Sequence, residues 1–100
     1  MIINKMKNKD VEKIYNACSK VPKSLSLDLK KKLFRNRQNI ISEHSFIQDM
    51  RQNCSEEELR IFLNEEVKNQ NLEFINIEEL PDDINEFEQE FLDGIFLITN

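Results

Sequence analysis

Residues 55–63 read Ser-Glu-Glu-Glu-Leu-Arg-Ile-Phe-Leu, and they contain the clearest helix start in the chain. Ser55 and Glu58 have the spacing of a capping box, in which the Ser hydroxyl and the Glu carboxylate each accept the other residue's backbone amide. The three consecutive glutamates also suit the positive end of a helix dipole. Four apolar positions form the expected buried stripe: Leu59, Phe62, Leu63 and Val67. The sequence therefore predicts a helix that begins after Ser55 and ends at residues 69–71.

A second helix is predicted before this one, from Ser24 or Ser26 to Gln38 or Ile40. Either serine is a suitable N-cap residue. One broad apolar side is expected for this helix: Leu25, Leu29, Leu33, Phe34, Ile40 and Ile41. Leucines also alternate over residues 25–29, so a short strand there is the weaker alternative.

Two further helices complete the predicted helical body, which covers residues 9–69. Residues 10–19 carry apolar side chains at i, i+3, i+4 and i+7, and Pro22 prevents the helix from continuing. A third, short helix is expected to start at Ser42 or Ser45. Residues 1–8 are expected to be disordered. With 100 residues, 39% of them hydrophobic, the chain is predicted to be a single, mainly α domain.

The last thirty residues are predicted to form a separate unit, residues 72–99, with a small β element. Residues 72–77 have strand-like composition, and Pro81 with the two following aspartates marks a turn. Asp83 and Glu86 have the spacing of a capping box for a helix that places Ile84, Phe87 and Phe91 on one face, and Gly94 suits the end of that helix. Residues 95–99, Ile-Phe-Leu-Ile-Thr, then resemble a short buried strand. Two such strands would pair in parallel through a right-handed crossover. A continuous helix from Asp83 to Ile98 is the alternative.

The residues that could carry chemistry are few. Cys18 lies on the apolar stripe of the first helix, whereas Cys54 precedes a helix start, where the dipole favours a thiolate. His44 and Cys54 stand at the two ends of a short predicted helix, about 15 Å apart, too far for a catalytic pair. Gly94 is the only glycine, so Gly-rich phosphate loops are excluded. We therefore expect no enzyme activity, no catalytic residues, no metal and no cofactor; the carboxylates lack the convergent spacing of a Mg²⁺ site.

Charge is distributed very unevenly along the chain. Residues 1–38 contain eleven Lys or Arg and three Asp or Glu, a net charge of +8, whereas residues 39–100 contain three and sixteen, a net charge of −13. The two segments could neutralise each other in the fold, or the acidic segment could face outward. An outward acidic field would accelerate encounter with a basic partner.

The leading functional hypothesis is a small acidic inhibitor that occludes a basic site on another protein, with a toxin or nuclease as the favoured partner. This class includes immunity proteins, antitoxins and phage-encoded inhibitors. Apolar side chains would serve as central anchors. Seven carboxylates are predicted to contact the partner: Glu57, Glu65, Glu66, Asp82, Asp83, Glu86 and Glu90.

Two other functions are kept as alternatives. A regulator could bind nucleic acid through Lys31, Lys32 and Arg35 on the second helix, although an isoelectric point of about 4.9 opposes this. An oligomeric adaptor could pair the strand at residues 95–99 between copies. No apolar run approaches the length of a membrane span, so the protein is expected to be cytoplasmic, without a membrane partner. The sequence leaves the oligomeric state open.

Overall fold

The computed structural model of the protein describes residues 6–67 and 71–99. Single turns of 3₁₀-helix occur at Ile77–Glu79, Ile84–Glu86 and Phe96–Ile98. The α-helices of the described residues are α1 (Asn8–Cys18), α2 (Leu27–Asn39), α3 (Ile41–Asn53), α4 (Glu56–Leu63) and α5 (Gln89–Ile95). The predicted mainly α class is therefore confirmed.

Helix α1 lies at the centre and packs against α2, α3, α4 and α5. Its buried residues include Val11, Ile14 and Ala17. Its closest neighbour is α5, because Gly94 lies against it: a Cβ atom at Gly94 would stand 2.3 Å from the carbonyl oxygen of Lys13 and 2.4 Å from Cβ of Ala17. Gly94 was expected to end a helix, but it lies inside α5, where its missing side chain permits this close approach.

The start of the described chain is part of the core. Met6 is only 2% exposed, and its carbonyl accepts the amide of Val67 at 2.8 Å. Lys7 forms an antiparallel bridge with Glu66. The predicted disorder of residues 1–8 is thus wrong for residues 6–8, because the chain beyond α4 pairs with them; residues 1–5 lie outside the described residues.

The capping box predicted at the start of α4 is confirmed. Ser55 Oγ accepts the amide of Glu58 at 3.2 Å, and Glu58 Oε1 accepts the amide of Ser55 at 2.9 Å. The predicted end of this helix is wrong, since α4 ends at Leu63 with Asn64 as its C-cap residue. Tertiary pairing with residues 6–8 directs the chain away from the helix, so Val67 packs partly buried against the core from outside α4.

Helices α2 and α3 follow one another with only Ile40 between them. Ser26 caps α2 as predicted, because its Oγ accepts the amide of Leu29 at 3.2 Å. Helix α3 begins at Ile41 rather than after Ser42 or Ser45, since the Ile40 amide still bonds to α2 and the chain turns without a capping side chain. The prediction also assigned too many residues to the buried apolar side of α2. Leu25, Leu29, Leu33 and Ile40 are buried, but Phe34 and Ile41 are exposed.

The C-terminal unit contains one β-bridge in place of the two predicted strands. Ile75 pairs in parallel with Thr99, and its amide donates to the carbonyl of Ile98 at 2.7 Å. The strand predicted at residues 95–99 is wrong, because Phe91, Ile95 and Ile98 are buried at helical spacing. The helical alternative describes this segment better, but its α-helix begins at Gln89 rather than Asp83.

This correction also affects the adaptor hypothesis. A strand that pairs between copies needs a free edge and exposed backbone groups. Ile95 and Ile98 are fully buried, and residues 96–98 form a 3₁₀ turn. The segment at residues 95–99 therefore does not offer the edge strand on which that hypothesis was based.

The segment at residues 71–76 is attached to α2 by two asparagines. Asn36 is fully buried, and its Nδ2 donates to the carbonyl of Glu73 at 3.0 Å while its Oδ1 accepts the Glu73 amide at 2.7 Å. Asn39, which is exposed, donates to the carbonyl of Asn71 at 2.8 Å. These side-chain bonds pair the backbone groups of Glu73 and Asn71, which would otherwise need partners in a β-sheet.

Candidate functional site

All seven carboxylates predicted to contact a partner are exposed. The first group lies on and just after α4, and the second lies at residues 82–90. Glu57 forms an ion pair with Arg60 on α4 at 2.6 Å, and Glu90 forms one with Lys20. The first group comprises Glu57, Glu65 and Glu66, and the second comprises Asp82, Asp83, Glu86 and Glu90. Helices α4 and α5 each pack on α1, so the fold presents the two groups on different elements.

The basic and acidic segments neutralise each other in part. Within the described residues, three ion pairs join the early basic segment to the later acidic one. Lys32 Nζ lies 2.8 Å from Glu79, and Arg35 Nη2 lies 2.9 Å from Glu73. The third pair is Lys20 with Glu90. The hydrogen bond from Arg35 lowers the pKa of Glu73, and the hydrogen bond from Lys32 lowers the pKa of Glu79.

An acidic surface remains after this pairing. The exposed side chains of Asp82, Asp83, Glu86 and Glu88 form no ion pair with another described residue. They lie close together in the chain, around the 3₁₀ turn Ile84–Glu86 that precedes α5. We call residues 82–88 the acidic turn. Uncompensated carboxylates on one short turn produce a local negative potential that neighbouring cations do not cancel.

An open cleft lies where the acidic turn meets the connection between α1 and α2. Its volume is about 590 Å³. Half-buried Phe87 contributes apolar surface and contacts the buried Phe91 edge to face, with 5.8 Å between ring centroids. The residues that line it are Lys20, Val21, Pro22, Glu86, Phe87, Glu88 and Phe91. We call this the α5 cleft.

The α5 cleft combines an apolar surface with a negative rim. Glu86 and Glu88 flank Phe87 in the sequence, and both carboxylates line the opening. Lys20 contributes the opposite charge, but its ammonium group is already paired with Glu90, and that hydrogen bond raises the pKa of Lys20. The cleft therefore suits a side chain that is apolar along its length and cationic at its end, as Lys and Arg are.

Sequence reasoning identified the carboxylates but not the cleft. Phe87 and Phe91 were placed on the apolar face of a helix, whereas Phe87 is only half-buried at the mouth of a cavity. The opposite wall, Val21 and Pro22, comes from a loop more than sixty residues earlier. The local signal was the sequence Glu86-Phe87-Glu88, in which an aromatic residue stands between two carboxylates before a helix start.

Of the three candidate nucleic-acid contacts, one is exposed and two are bonded to carboxylates. Lys31 is exposed, but Lys32 donates to both oxygens of Glu79 and Arg35 donates to Glu73. A phosphate would have to displace a carboxylate from each of these two cations. The side of α2 that was predicted to contact phosphates is therefore partly neutralised by Glu73 and Glu79.

The thiols and the histidine occupy separate environments. Cys18 is buried, and burial raises the pKa of its thiol to about 12. Cys54 is half-buried just after α3. His44 lies near the start of α3 and stacks on Tyr15 with 3.7 Å between ring centroids. Burial lowers the pKa of His44, and the nearby charge of Glu12 reverses only part of that effect. Helix α3 separates His44 from Cys54, as predicted.

Within residues 6–67 and 71–99, no three His, Cys, Asp or Glu side chains are grouped so that they could hold a metal ion.

Comparisons with known proteins give no relative: no family model, no curated protein and no solved structure matches the chain significantly. Among the helices of the described residues, none combines the length and apolar character required to cross a membrane.

Proposed function

We propose that this chain is a small cytoplasmic binding protein that occupies a basic site on another protein through the acidic turn and the α5 cleft. The favoured partner is a toxin or nuclease, whose substrate-binding surface is cationic. The proposal rests on one observation: Glu86 and Glu88, which have no ion-pair partner among the described residues, border an open cleft lined by two phenylalanines.

This arrangement matches what a tight protein contact needs. Binding energy concentrates in a few apolar or Arg anchors that fill pockets, while charges around them guide the encounter and set specificity. A Lys or Arg of the partner would lay its methylene groups against Phe87 and bring its charge to Glu86 or Glu88. The nearby Asp82 and Asp83 would extend the attraction beyond the cleft. Of the two predicted groups of carboxylates, the one at residues 82–90 therefore receives the stronger support.

The charge distribution also supports protein binding over the nucleic-acid alternative. Lys32 and Arg35 are engaged with Glu79 and Glu73, so two of the three predicted phosphate contacts are already paired with carboxylates. The acidic turn would repel a nucleic acid and attract a basic protein. An inhibitor of this kind acts by occlusion, so its own residues need only bind and exclude the substrate of the partner.

Two double charge reversals test the proposal. Glu86→Lys/Glu88→Lys alters the α5 cleft, and Glu65→Lys/Glu66→Lys changes the net charge equally at the first acidic group. Each protein is used for affinity capture from the cells that produce it, at low and at high salt. We expect a basic protein to be retained by the wild type and by Glu65→Lys/Glu66→Lys, and to be lost with Glu86→Lys/Glu88→Lys. Retention should weaken as salt rises.

A defined probe provides a second measurement. The probe is a short peptide in which arginines flank a tryptophan, and its control carries glutamates in their place. In an NMR titration of the wild-type chain, the arginine peptide should shift the amides of Lys20, Val21 and residues 86–91. The proposal is contradicted if both double variants bind the captured protein alike, or if the retained proteins are acidic.

A further inference from the structure

Helix α2 and the first residue of α3 carry an apolar stripe that faces away from the core. Leu27 is 66% exposed, Phe34 is 45% exposed and Ile41 is 47% exposed. Leu27 and Phe34 are seven residues apart, which is two turns of α2, so they lie along one side of that helix. Ile41 is the first residue of α3 and lines a hollow together with Phe34, so it extends the same apolar surface beyond the end of α2. The opposite side of α2 already fills the core with Leu29 and Leu33. We call Leu27, Phe34 and Ile41 the outer stripe.

The outer stripe is shaped as two adjoining hollows. The first, about 330 Å³, is lined almost entirely by apolar surface, and the second, about 360 Å³, lies further along the helix. Phe34 and Gln38 line both hollows, while Leu27 lines only the first and Ile41 only the second. The hollows are thus neighbours along α2. This spacing suits two side chains on the same face of a partner helix, at positions i and i+4.

The borders of the hollows are cationic. Lys30, Lys31 and Arg35 line the first hollow, and Arg37 lines the second. Arg35 is neutralised by Glu73, but Lys30, Lys31 and Arg37 form no ion pair with a described residue. Asp28 is the one acidic residue of α2. The net field over the outer stripe is therefore positive, opposite to that of the acidic turn.

We propose that the outer stripe binds an acidic amphipathic helix of a partner protein. Apolar side chains of that helix would enter the two hollows, and its flanking carboxylates would meet Lys30, Lys31 and Arg37, as in helix-in-groove recognition. Charge complementarity selects this occupant. A symmetric pair of copies would bring Lys30 and Lys31 of both chains together, which is repulsive.

This inference goes beyond the function proposed above, because it concerns a different face and a partner of opposite charge. A chain with both surfaces could hold a basic protein and an acidic one at the same time. The two proposals can fail separately: Glu86→Lys/Glu88→Lys must leave binding at the outer stripe unchanged.

The test uses a synthetic peptide of about 18 residues, long enough to form a helix. It carries leucines at i, i+4 and i+7 with glutamates beside them, and its control has the same composition in scrambled order. The full chain is titrated with each peptide by NMR. We expect shifts confined to the amides around residues 27–41 with the helical peptide and none with the scrambled one.

Variants identify the surface. Phe34→Ser should weaken peptide binding about tenfold or more, the loss typical of a central apolar anchor. Lys30→Glu/Lys31→Glu should weaken it and reduce its dependence on salt. The matched control is Ile77→Ser, since Ile77 is 61% exposed but lies outside the stripe. Far-ultraviolet circular dichroism verifies that each variant is folded, as expected for exposed positions.

Other outcomes would overturn the inference. Shifts centred outside residues 27–41, or an equal loss with Ile77→Ser, would show that the outer stripe is not the binding surface. Light scattering that reveals a dimer abolished by Phe34→Ser would assign the stripe to a second copy of this chain. Sedimentation with vesicles containing anionic lipid, lost in Phe34→Ser, would assign it to a membrane.

Discussion

The buried side chain of Asn36 should contribute far more to stability than that of Asn39, although both bond to the segment at residues 71–76. Asn36→Ala removes a donor and an acceptor from the two backbone groups of Glu73, which bond at 3.0 Å and 2.7 Å. Asn39→Ala removes one exposed bond to the carbonyl of Asn71. Water can replace the lost partner at Asn71 but reaches the contact at Asn36 poorly, because that side chain is fully buried.

The magnitude follows from the cost of unsatisfied groups. A buried donor or acceptor without a partner costs about 1–3 kcal/mol. Two such groups, one of them able to regain water at the half-buried Glu73, give a loss of about 2–4 kcal/mol for Asn36→Ala. The loss for Asn39→Ala should be below about 0.5 kcal/mol, typical of a surface change. A domain of ordinary stability survives both losses, so each variant can be measured.

Urea unfolding followed by circular dichroism at 222 nm gives the free energy of each variant. Asn36→Leu supplies a further control, because it fills the space but leaves both Glu73 groups without partners. We expect Asn36→Leu to remain destabilised, and hydrogen exchange at the Glu73 amide to accelerate in both Asn36 variants. If Asn36→Ala unfolds within about 0.5 kcal/mol of Asn39→Ala, the reasoning on buried backbone groups is refuted.

Three further predictions concern packing, the thiols and pH. Gly94→Ala should lower the free energy of unfolding by about 3 kcal/mol or more, because its Cβ would overlap Lys13 and Ala17, whereas exposed Asp93→Ala in the same helix should change it little; urea unfolding compares them. Iodoacetamide should modify Cys54 in the native protein and Cys18 only after unfolding, as mass spectrometry of digests would show; equal rates would contradict the burial of Cys18. Because the folded pKa of His44 lies below its ordinary value of 6.5, the unfolded chain binds a proton more readily, so the stability contributed here is complete above about pH 6.5 and declines as pH falls through the folded pKa. His44→Gln should remove that slope in urea unfolding between about pH 7.5 and 5.5; a slope that persists would assign it to other groups.

Local chemistry made two of the helix starts predictable. Ser26 and Ser55 cap α2 and α4 through bonds to amides three residues away, so neighbouring residues determine them. Helix ends were harder to predict. Asn64 donates to the carbonyl of Arg60 at the end of α4, but the chain beyond it is placed by the pairing of residues 65–67 with residues 6–8. A contact between segments more than fifty residues apart has no local signal.

The error at residues 95–99 has a similar cause. A run of β-branched and aromatic residues fits a strand, but propensity is weak compared with burial against a neighbouring element. Helix α1 presents an apolar groove, and Ile95 and Ile98 fill the core only when their segment is helical or 3₁₀. Likewise, the exposure of the acidic residues was predictable from their charge. Their partners were not, because Glu73, Glu79 and Glu90 find theirs across the fold.

The central position of α1 affects how the chain emerges from a ribosome. Helix α5, which packs most closely on α1, is encoded about seventy residues later. At synthesis rates of about 5–20 residues per second, α5 is synthesised roughly 4–14 seconds after α1. Throughout this interval the nascent chain exposes the surface of α1 around Ala17, which Gly94 covers in the folded protein, to chaperones and to other nascent chains. Translation speed through the second half of the message would therefore influence the yield of folded protein.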